Sequence, residues 1–280
     1  MTLPTTGTIV TYPLGDTTSE SRVLHVESLD DGRVAVLLDH TAAHPVDAGW
    51  PDQGADRGVL DGGDIAIELR DAVVAATDGE TLYLGADIPV RKGTDGWTWV
   101  VAHLVDADAG LTEGDAVTVE VDAAYRRALS VGHTACHLAS LALDEALAGA
   151  WTKGEQSFER EANETSQITE NGSVDTYRVG KSVRKRGFDV TALDDPAALT
   201  ARVNEILASF SGSIAIERDG DALTDRRYWV AELPAGTVRI PCGGTHASSV
   251  EELGTVTVVL ETQQLEGAVG LTMTTTAQPD

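Results

Sequence analysis

The chain has 280 residues, and its 45 acidic against 20 basic side chains give a formal net charge of -25. That length suffices to bury a substantial core and to hold two domains, while the charge disfavours a protein whose whole surface serves a polyanion. Two cysteines, Cys136 and Cys242, exclude a disulfide scaffold, and with neither a basic leader nor an 18-residue apolar run a soluble, cytoplasmic protein is expected.

The acid excess is spread along the chain rather than gathered in a tail, and Lys92, Lys153, Lys181 and Lys185 are the four lysines. This composition suits a high-salt, halophilic cytoplasm, where carboxylates keep the surface hydrated and molar salt screens their repulsion within about 3 Å. An acidic protein that touches RNA is then tolerable, although with weak non-specific affinity.

In chain order, residues 1–118 read as β. Short apolar and β-branched runs recur at 8–12, 23–26, 34–38, 65–69, 82–84 and 97–105, punctuated by Asp31-Gly32, Gly62-Gly63 and Asp78-Gly79. Many short strands with such breaks predict a small β-barrel or sandwich. Residues 39–58 differ: Asp39-His40-Thr41-Ala42-Ala43-His44-Pro45 leads to Gly49-Trp50-Pro51-Asp52-Gln53-Gly54-Ala55-Asp56-Arg57-Gly58, too polar and too rich in Gly and Pro for a strand. Turn capping accounts for Asp39, His44 and Asp56 as well as a site does.

A last alternating strand over 117–122 precedes a change of character, which divides the chain into domains at 1–118 and 119–280. His133 and His137 then stand four apart. On a helix this places both imidazoles on one face, roughly 5–6 Å apart, and Leu138, Leu141 and Ala142 continue the helical spacing towards a stop at Gly149. Residues 151–191 are polar, with a hairpin turn expected at Asn171-Gly172. They contain the basic cluster of an acidic chain: Arg178, Lys181, Arg184, Lys185 and Arg186, interleaved with Tyr177 and Phe188. Phosphate contact is one use for it, and pairing with the protein's own carboxylates is the other.

Asp195-Pro196 marks a helix start, Asp as N-cap and Pro at the first position, with Leu199, Val203, Ile206 and Phe210 as its buried face. Strands over 214–216, 227–231 and 238–240 deliver Cys242, and 255–260 and 271–274 complete the sheet of an α+β domain. Ser248, Ser249 and Glu251 predict a helix start just after His246, with its positive end towards the site.

Pro241-Cys242-Gly243-Gly244-Thr245-His246 is the second half of the chemistry. With His133 and His137, Cys242 and His246 make a set of three imidazoles and one thiolate, the N/S mixture that borderline-soft Zn²⁺ prefers. Gly243 and Gly244 favour a turn between the latter two and let backbone N–H groups approach an ion or a substrate oxygen. Cys136 lies on another helix face and reads as a small packed residue.

Gly132-His133-Thr134-Ala135-Cys136-His137-Leu138 followed by Cys242-Gly243-Gly244-Thr245-His246 resembles the editing domain of alanyl-tRNA synthetase and its freestanding relatives, the alanyl-tRNA editing proteins. The threonyl-tRNA synthetase editing domain shares parts of the pattern. The resemblance implies a β-barrel ahead of a zinc-binding α+β editing domain, and it identifies 39–58 with the family's glycine-rich element, matched at Thr41, Gln53, Asp56 and Gly58. Trp50-Pro51-Asp52 stands where the family carries glycines. By resemblance Thr41 senses the amino acid, its hydroxyl pairing with a seryl hydroxyl while its methyl crowds alanine. Asp56 lines the pocket, and Arg126 and Arg127, in a basic aromatic segment before the first histidine, face RNA by resemblance, a solvated helix face accounting for them equally well.

The implied activity is zinc-dependent hydrolysis of the ester in mischarged tRNA(Ala), seryl and by extension glycyl, acting in trans. Four protein ligands close a tetrahedron where catalytic zinc usually keeps a position open. One ligand is therefore loose, or the ion becomes five-coordinate, or zinc positions substrate while Gln53 or a backbone N–H orients the water. Two other classes fit the same residues: a non-catalytic, zinc-stabilised RNA-binding module, and a metal-dependent hydrolase of small acyl substrates without RNA.

Overall fold

In the computed structural model, residues 2–63, 65–106, 110–154 and 156–279 are described. Besides a two-residue parallel pair, Ile9–Val10 with His40–Thr41, the alternating and continuous apolar runs in the first 121 residues give eight strands: β1 (Thr18–Ser28), β2 (Arg33–Leu38), β3 (Gly58–Asp61), β4 (Ala66–Leu69), β5 (Asp71–Thr77), β6 (Leu82–Leu84), β7 (Thr98–Asp106) and β8 (Ala116–Val121). They form one sheet in the order β4-β3-β8-β1-β2-β7-β5-β6. The Val-Ala-Val-Leu-Leu run of β2 is buried along its whole length, as a central strand covered on both faces must be. The punctuation predicts a small barrel; the strand order among the described residues runs from β4 to β6, and β4 continues through Arg70, whose N–H bonds Leu104 O of β7 at 2.9 Å, directly into β5. Gly58 opens β3 where a Cβ would collide with the carbonyl oxygen of Glu120 on β8. This glycine ends the 39–58 element because the backbones meet there.

The remainder is α+β: helices α1 (Ala123–Ala146), α2 (Phe158–Ala162), α3 (Lys181–Lys185) and α4 (Pro196–Leu207), with strands β9 (Asn163–Thr169), β10 (Gly172–Val179), β11 (Ile214–Arg218), β12 (Arg227–Leu233), β13 (Gly236–Pro241), β14 (Thr255–Leu265) and β15 (Ala268–Gln278). β9-β10-β15-β14 make a four-stranded antiparallel sheet and β11-β12-β13 a three-stranded one. The β9–β10 hairpin turns on Glu170 and Asn171, one residue earlier than expected: Asn171 takes the left-handed φ of 56° and Gly172 already pairs with Thr169. α4 starts as its sequence predicts, the Asp195 carboxylate accepting from the Ala198 N–H at 2.9 Å. Asn204 on α4 bonds the edge of β14 in both directions, to Val258 O and from Val258 N at 2.8 Å each, which occupies backbone groups of an otherwise open edge.

The chain divides into two compact units, Met1–Arg126 with Ile216–Trp229 and Arg239–Thr245, and Arg127–Ala215 with Val230–Val238 and His246–Asp280. In the first, Val23, Val36, Leu38, Leu60, Val117 and Val119 are among the buried core side chains. In the second, Trp151, Phe158, Tyr177 and Phe188 form an aromatic cluster with ring centroids 4.9–5.3 Å apart. Gly132 on α1 packs onto the β9–β10 hairpin where a Cβ would strike the carbonyl oxygens of Thr169 and Gly172. The helix can therefore lie against that turn immediately before its first histidine. Among the described residues no helix is long and apolar enough to cross a membrane.

Candidate metal centre

α1 carries His133 and His137 as the four-residue spacing requires, their rings stacked at 5.0 Å between centroids and 19° between planes. His246 brings a third ring to 4.2 Å from His133 and 5.1 Å from His137. Cys242 lies just past β13, its N–H bonded to Arg227 O at 3.1 Å, four residues before His246. The ligand atoms of His133, His137, Cys242 and His246 all lie within 4.8 Å of one another. Metal–ligand bonds of about 2.0–2.3 Å fix tetrahedral edges of roughly 3.3–3.7 Å, so small side-chain rotations close the set on one ion. His133 and Cys242 are buried, and His137 and His246 are half-buried. The donor chemistry fits zinc: three nitrogens, one sulfur and no oxygen.

Cys136 does not join them. Its thiol donates to the Asp175 carboxylate at 3.3 Å, and burial followed by the charge of Asp175 pushes its pKa well up, which keeps it protonated. Asp175 is held in turn by the Ser173 hydroxyl at 2.8 Å. Burial raises the carboxyls of Asp175 and of Glu159, which accepts from Tyr177 Oη at 2.8 Å. The helix expected after His246 is a single 3-10 turn at Glu251–Leu253, so the expected positive helix end is not formed. Val250, where a first helical turn would run, instead donates its N–H to Gly212 O.

The 39–58 element begins with a two-residue strand, His40–Thr41, paired with Ile9–Val10, and continues as an irregular loop; its Thr41, Gln53 and Asp56 side chains are bonded to distant parts of the chain. The Gln53 amide bonds Thr245 twice, Nε2–H to the Thr245 hydroxyl at 2.8 Å and Oε1 from the Thr245 N–H at 2.9 Å. The turn between Cys242 and His246 is thereby clamped by a residue 192 positions away. Asp56 is 1% exposed and Arg126 4% exposed. The Arg126 Nε–H donates to Asp56 Oδ1 at 2.8 Å, its Nη2–H donates to Asp56 Oδ2 as well, and the guanidinium also holds Ala42 O at 2.7 Å. Asp56 further accepts from the His44 N–H at 2.6 Å. Asp56 and Arg126, expected at a pocket wall and an RNA face, are thus spent on each other and on the loop backbone.

Thr41 is fully buried. Its hydroxyl is 2.8 Å from His103 Nε2 and accepts from the Ala43 N–H at 3.0 Å. Burial lowers the His103 pKa to about 4. The ring is therefore neutral, Nδ1–H donates to Val36 O at 3.1 Å, and Nε2 must accept the Thr41 proton. Towards anything else the Thr41 oxygen can then only accept. A cleft in the first unit is lined by Tyr12, His44, Trp50, Arg227, Gly243 and Gly244. Trp50 is 65% exposed there, its indole N–H tethered to Asp52 at 2.8 Å.

Arg127, Arg178, Lys181, Arg184, Lys185 and Arg186 are exposed, the last four on or just after α3. Arg184 donates to Gly267 O at 2.7 Å and Arg186 pairs with Glu161. Tyr177 and Phe188, interleaved with them in sequence, are 1% and 4% exposed and belong to the aromatic core. His103, Thr245 and Thr134 escape sequence reasoning, since only their distant partners reveal a role.

No family model matches the chain. Its sequence is similar to the alanyl-tRNA editing protein AlaX-M of Pyrococcus horikoshii, 28% identical over 226 residues that cover 79% of this chain and 77% of that protein. It is also similar to alanine–tRNA ligase of Synechococcus sp., 26% identical over 236 residues, 81% of this chain and 22% of the ligase. For the ligase of Cupriavidus necator the figures are 26% over 237 residues, 84% and 24%. The chain thus spans about a quarter of the length of these ligases. The resemblance to alanyl-tRNA editing proteins carried by the two histidine-containing motifs extends over about four fifths of the chain.

Proposed function

We propose that this protein is a zinc-dependent deacylase acting in trans on mischarged tRNA(Ala), with the seryl ester as substrate, the glycyl ester as a second one and the alanyl ester spared. The observation that carries the reading is the convergence of His133, His137, Cys242 and His246, whose donor atoms lie within 4.8 Å of one another, in a chain similar over most of its length to an editing protein. When bound, zinc supplies Lewis acidity to a carbonyl or a water. The chain's own residues do the rest. Gln53 fixes the Cys242–His246 turn through its two bonds to Thr245, a positioning task in place of orienting water. Thr41, its own proton committed to His103, offers an acceptor to the seryl hydroxyl, and alanine lacks a hydroxyl to donate. Trp50 supplies an exposed aromatic face for a base of the RNA end. Phosphate contacts fall to Arg127, Arg178 and the α3 cations Lys181, Arg184, Lys185 and Arg186, with the acid-rich remainder suited to high salt and a cytoplasmic setting.

The test is deacylation of seryl-, glycyl- and alanyl-tRNA(Ala) in concentrated potassium chloride. The expected order is seryl fastest, then glycyl, with alanyl near background. Equal turnover of a small seryl ester lacking RNA would instead identify a hydrolase of small acyl substrates, and metal and RNA binding without turnover would identify a non-catalytic module.

A further inference from the structure

Thr134 sits between the two helical histidines, fully buried in the second unit, and its hydroxyl has three neighbours. Oγ1 lies 2.8 Å from Ser130 O, 3.0 Å from the Ala247 N and 3.3 Å from His246 Nδ1. A threonine hydroxyl has one proton and two lone pairs. The Ser130 carbonyl can only accept, so it takes the proton. The Ala247 N–H can only donate, so it takes one lone pair. The second lone pair is the one facing His246, and an oxygen with no proton left can meet Nδ1 favourably only if that nitrogen carries hydrogen.

Resting on the metal-centre reading, we infer that Thr134 is a positioning residue that holds His246 as its Nδ1–H tautomer and so presents Nε2 as the ligand atom. A metal-binding imidazole is normally fixed in this way through its other nitrogen, commonly by a carboxylate or carbonyl; here a hydroxyl does it. The bond to Ser130 O one turn back locks the Thr134 side chain on α1. The same oxygen holds the backbone at Ala247. One side chain on the helix that carries His133 and His137 thereby sets both the ring orientation of the third imidazole and the place of the chain that bears it. The threonine of the His-Thr-Ala-x-His pattern thus has a chemical reason to be a hydroxyl residue rather than the isosteric valine.

The experiment compares native protein with Thr134→Val and Thr134→Ser. Zinc affinity is read by competition with a chromophoric chelator. The Val variant is expected to bind 10- to 100-fold more weakly, the usual cost of losing such a partner, and the Ser variant within about threefold of native. Long-range ¹H–¹⁵N spectra of the metal-free protein are expected to show His246 as Nδ1–H in native and Ser proteins and to lose that signature in Val. Native-like affinity of the Val variant, or a native His246 protonated on Nε2, would overturn the assignment. If the Val variant fails to fold, the native tautomer decides alone. If native protein takes up no zinc, the metal reading fails, while the native spectrum still tests what Thr134 does.

Discussion

At the scale of single residues, the site's chemistry is decided by where each proton sits. His103 is the clearest case, a neutral imidazole sealed in β7 with Val36 O on one nitrogen and the Thr41 hydroxyl on the other. Its pKa falls from 6.5 to about 4 on burial. Below 6.5 the unfolded chain therefore binds a proton that the folded one refuses. The stability contributed is complete above pH 6.5 and is lost as the pH falls through the window down to about 4, at about 2 kcal/mol between pH 7 and 5. Urea denaturation of metal-free protein at those two values should show this loss, and His103→Gln should show a smaller one. Equal losses would separate His103 from the acid sensitivity. Thr41→Val removes the proton that His103 accepts and, on the proposed function, the acceptor for the seryl hydroxyl. Seryl turnover should fall at least tenfold relative to alanyl turnover in single-turnover assays.

At the scale of elements, what the sequence discloses follows its physical range. His133 and His137 are readable because helical spacing alone puts them on one face, and Asp195-Pro196 because a cap is a local event. The strand runs are readable as runs but not as lengths. β14 and β15 extend over eleven residues each, since cross-strand pairing carries polar positions such as Gln263 and Thr276 into the ladder. The clamps are not readable at all: Gln53 with Thr245, Asp56 with Arg126 and Thr41 with His103 are 192, 70 and 62 positions apart, and nothing local distinguishes a residue awaiting such a partner. Barrel closure is not readable for the same reason, being a property of strands that lie far apart in the sequence. Gly132 links this scale to the site. Gly132→Ala should push α1 off the β9–β10 turn, destabilise the protein by about 1–3 kcal/mol and weaken zinc binding in the same titration. An alanine variant as stable as native would mean that the approach of helix to hairpin is not tight.

For the whole molecule, under the proposed function, a charge of -25 sets the terms on which RNA is met. Phosphate contact then depends on local cations, and Lys181 and Lys185 on α3 are exposed, whereas Arg184 and Arg186 also serve Gly267 O and Glu161. Lys181→Glu with Lys185→Glu should raise KM for the tRNA ester at least tenfold with kcat little changed. The slope of log affinity against log salt should flatten by about 0.7–0.9 for each phosphate that is no longer neutralised. An unaltered KM would move the RNA to another surface.

The central claim is that four side chains serve one ion that the reaction needs. The measurement that reaches it most directly is single-turnover deacylation of seryl-tRNA(Ala) by protein stripped of metal and then titrated with zinc. Activity should be absent at the start, rise linearly and saturate at one zinc per chain, and Cys242→Ser should shift the titration to higher zinc. Stripped protein as active as reconstituted protein, or no hydrolysis at saturating zinc, would contradict it.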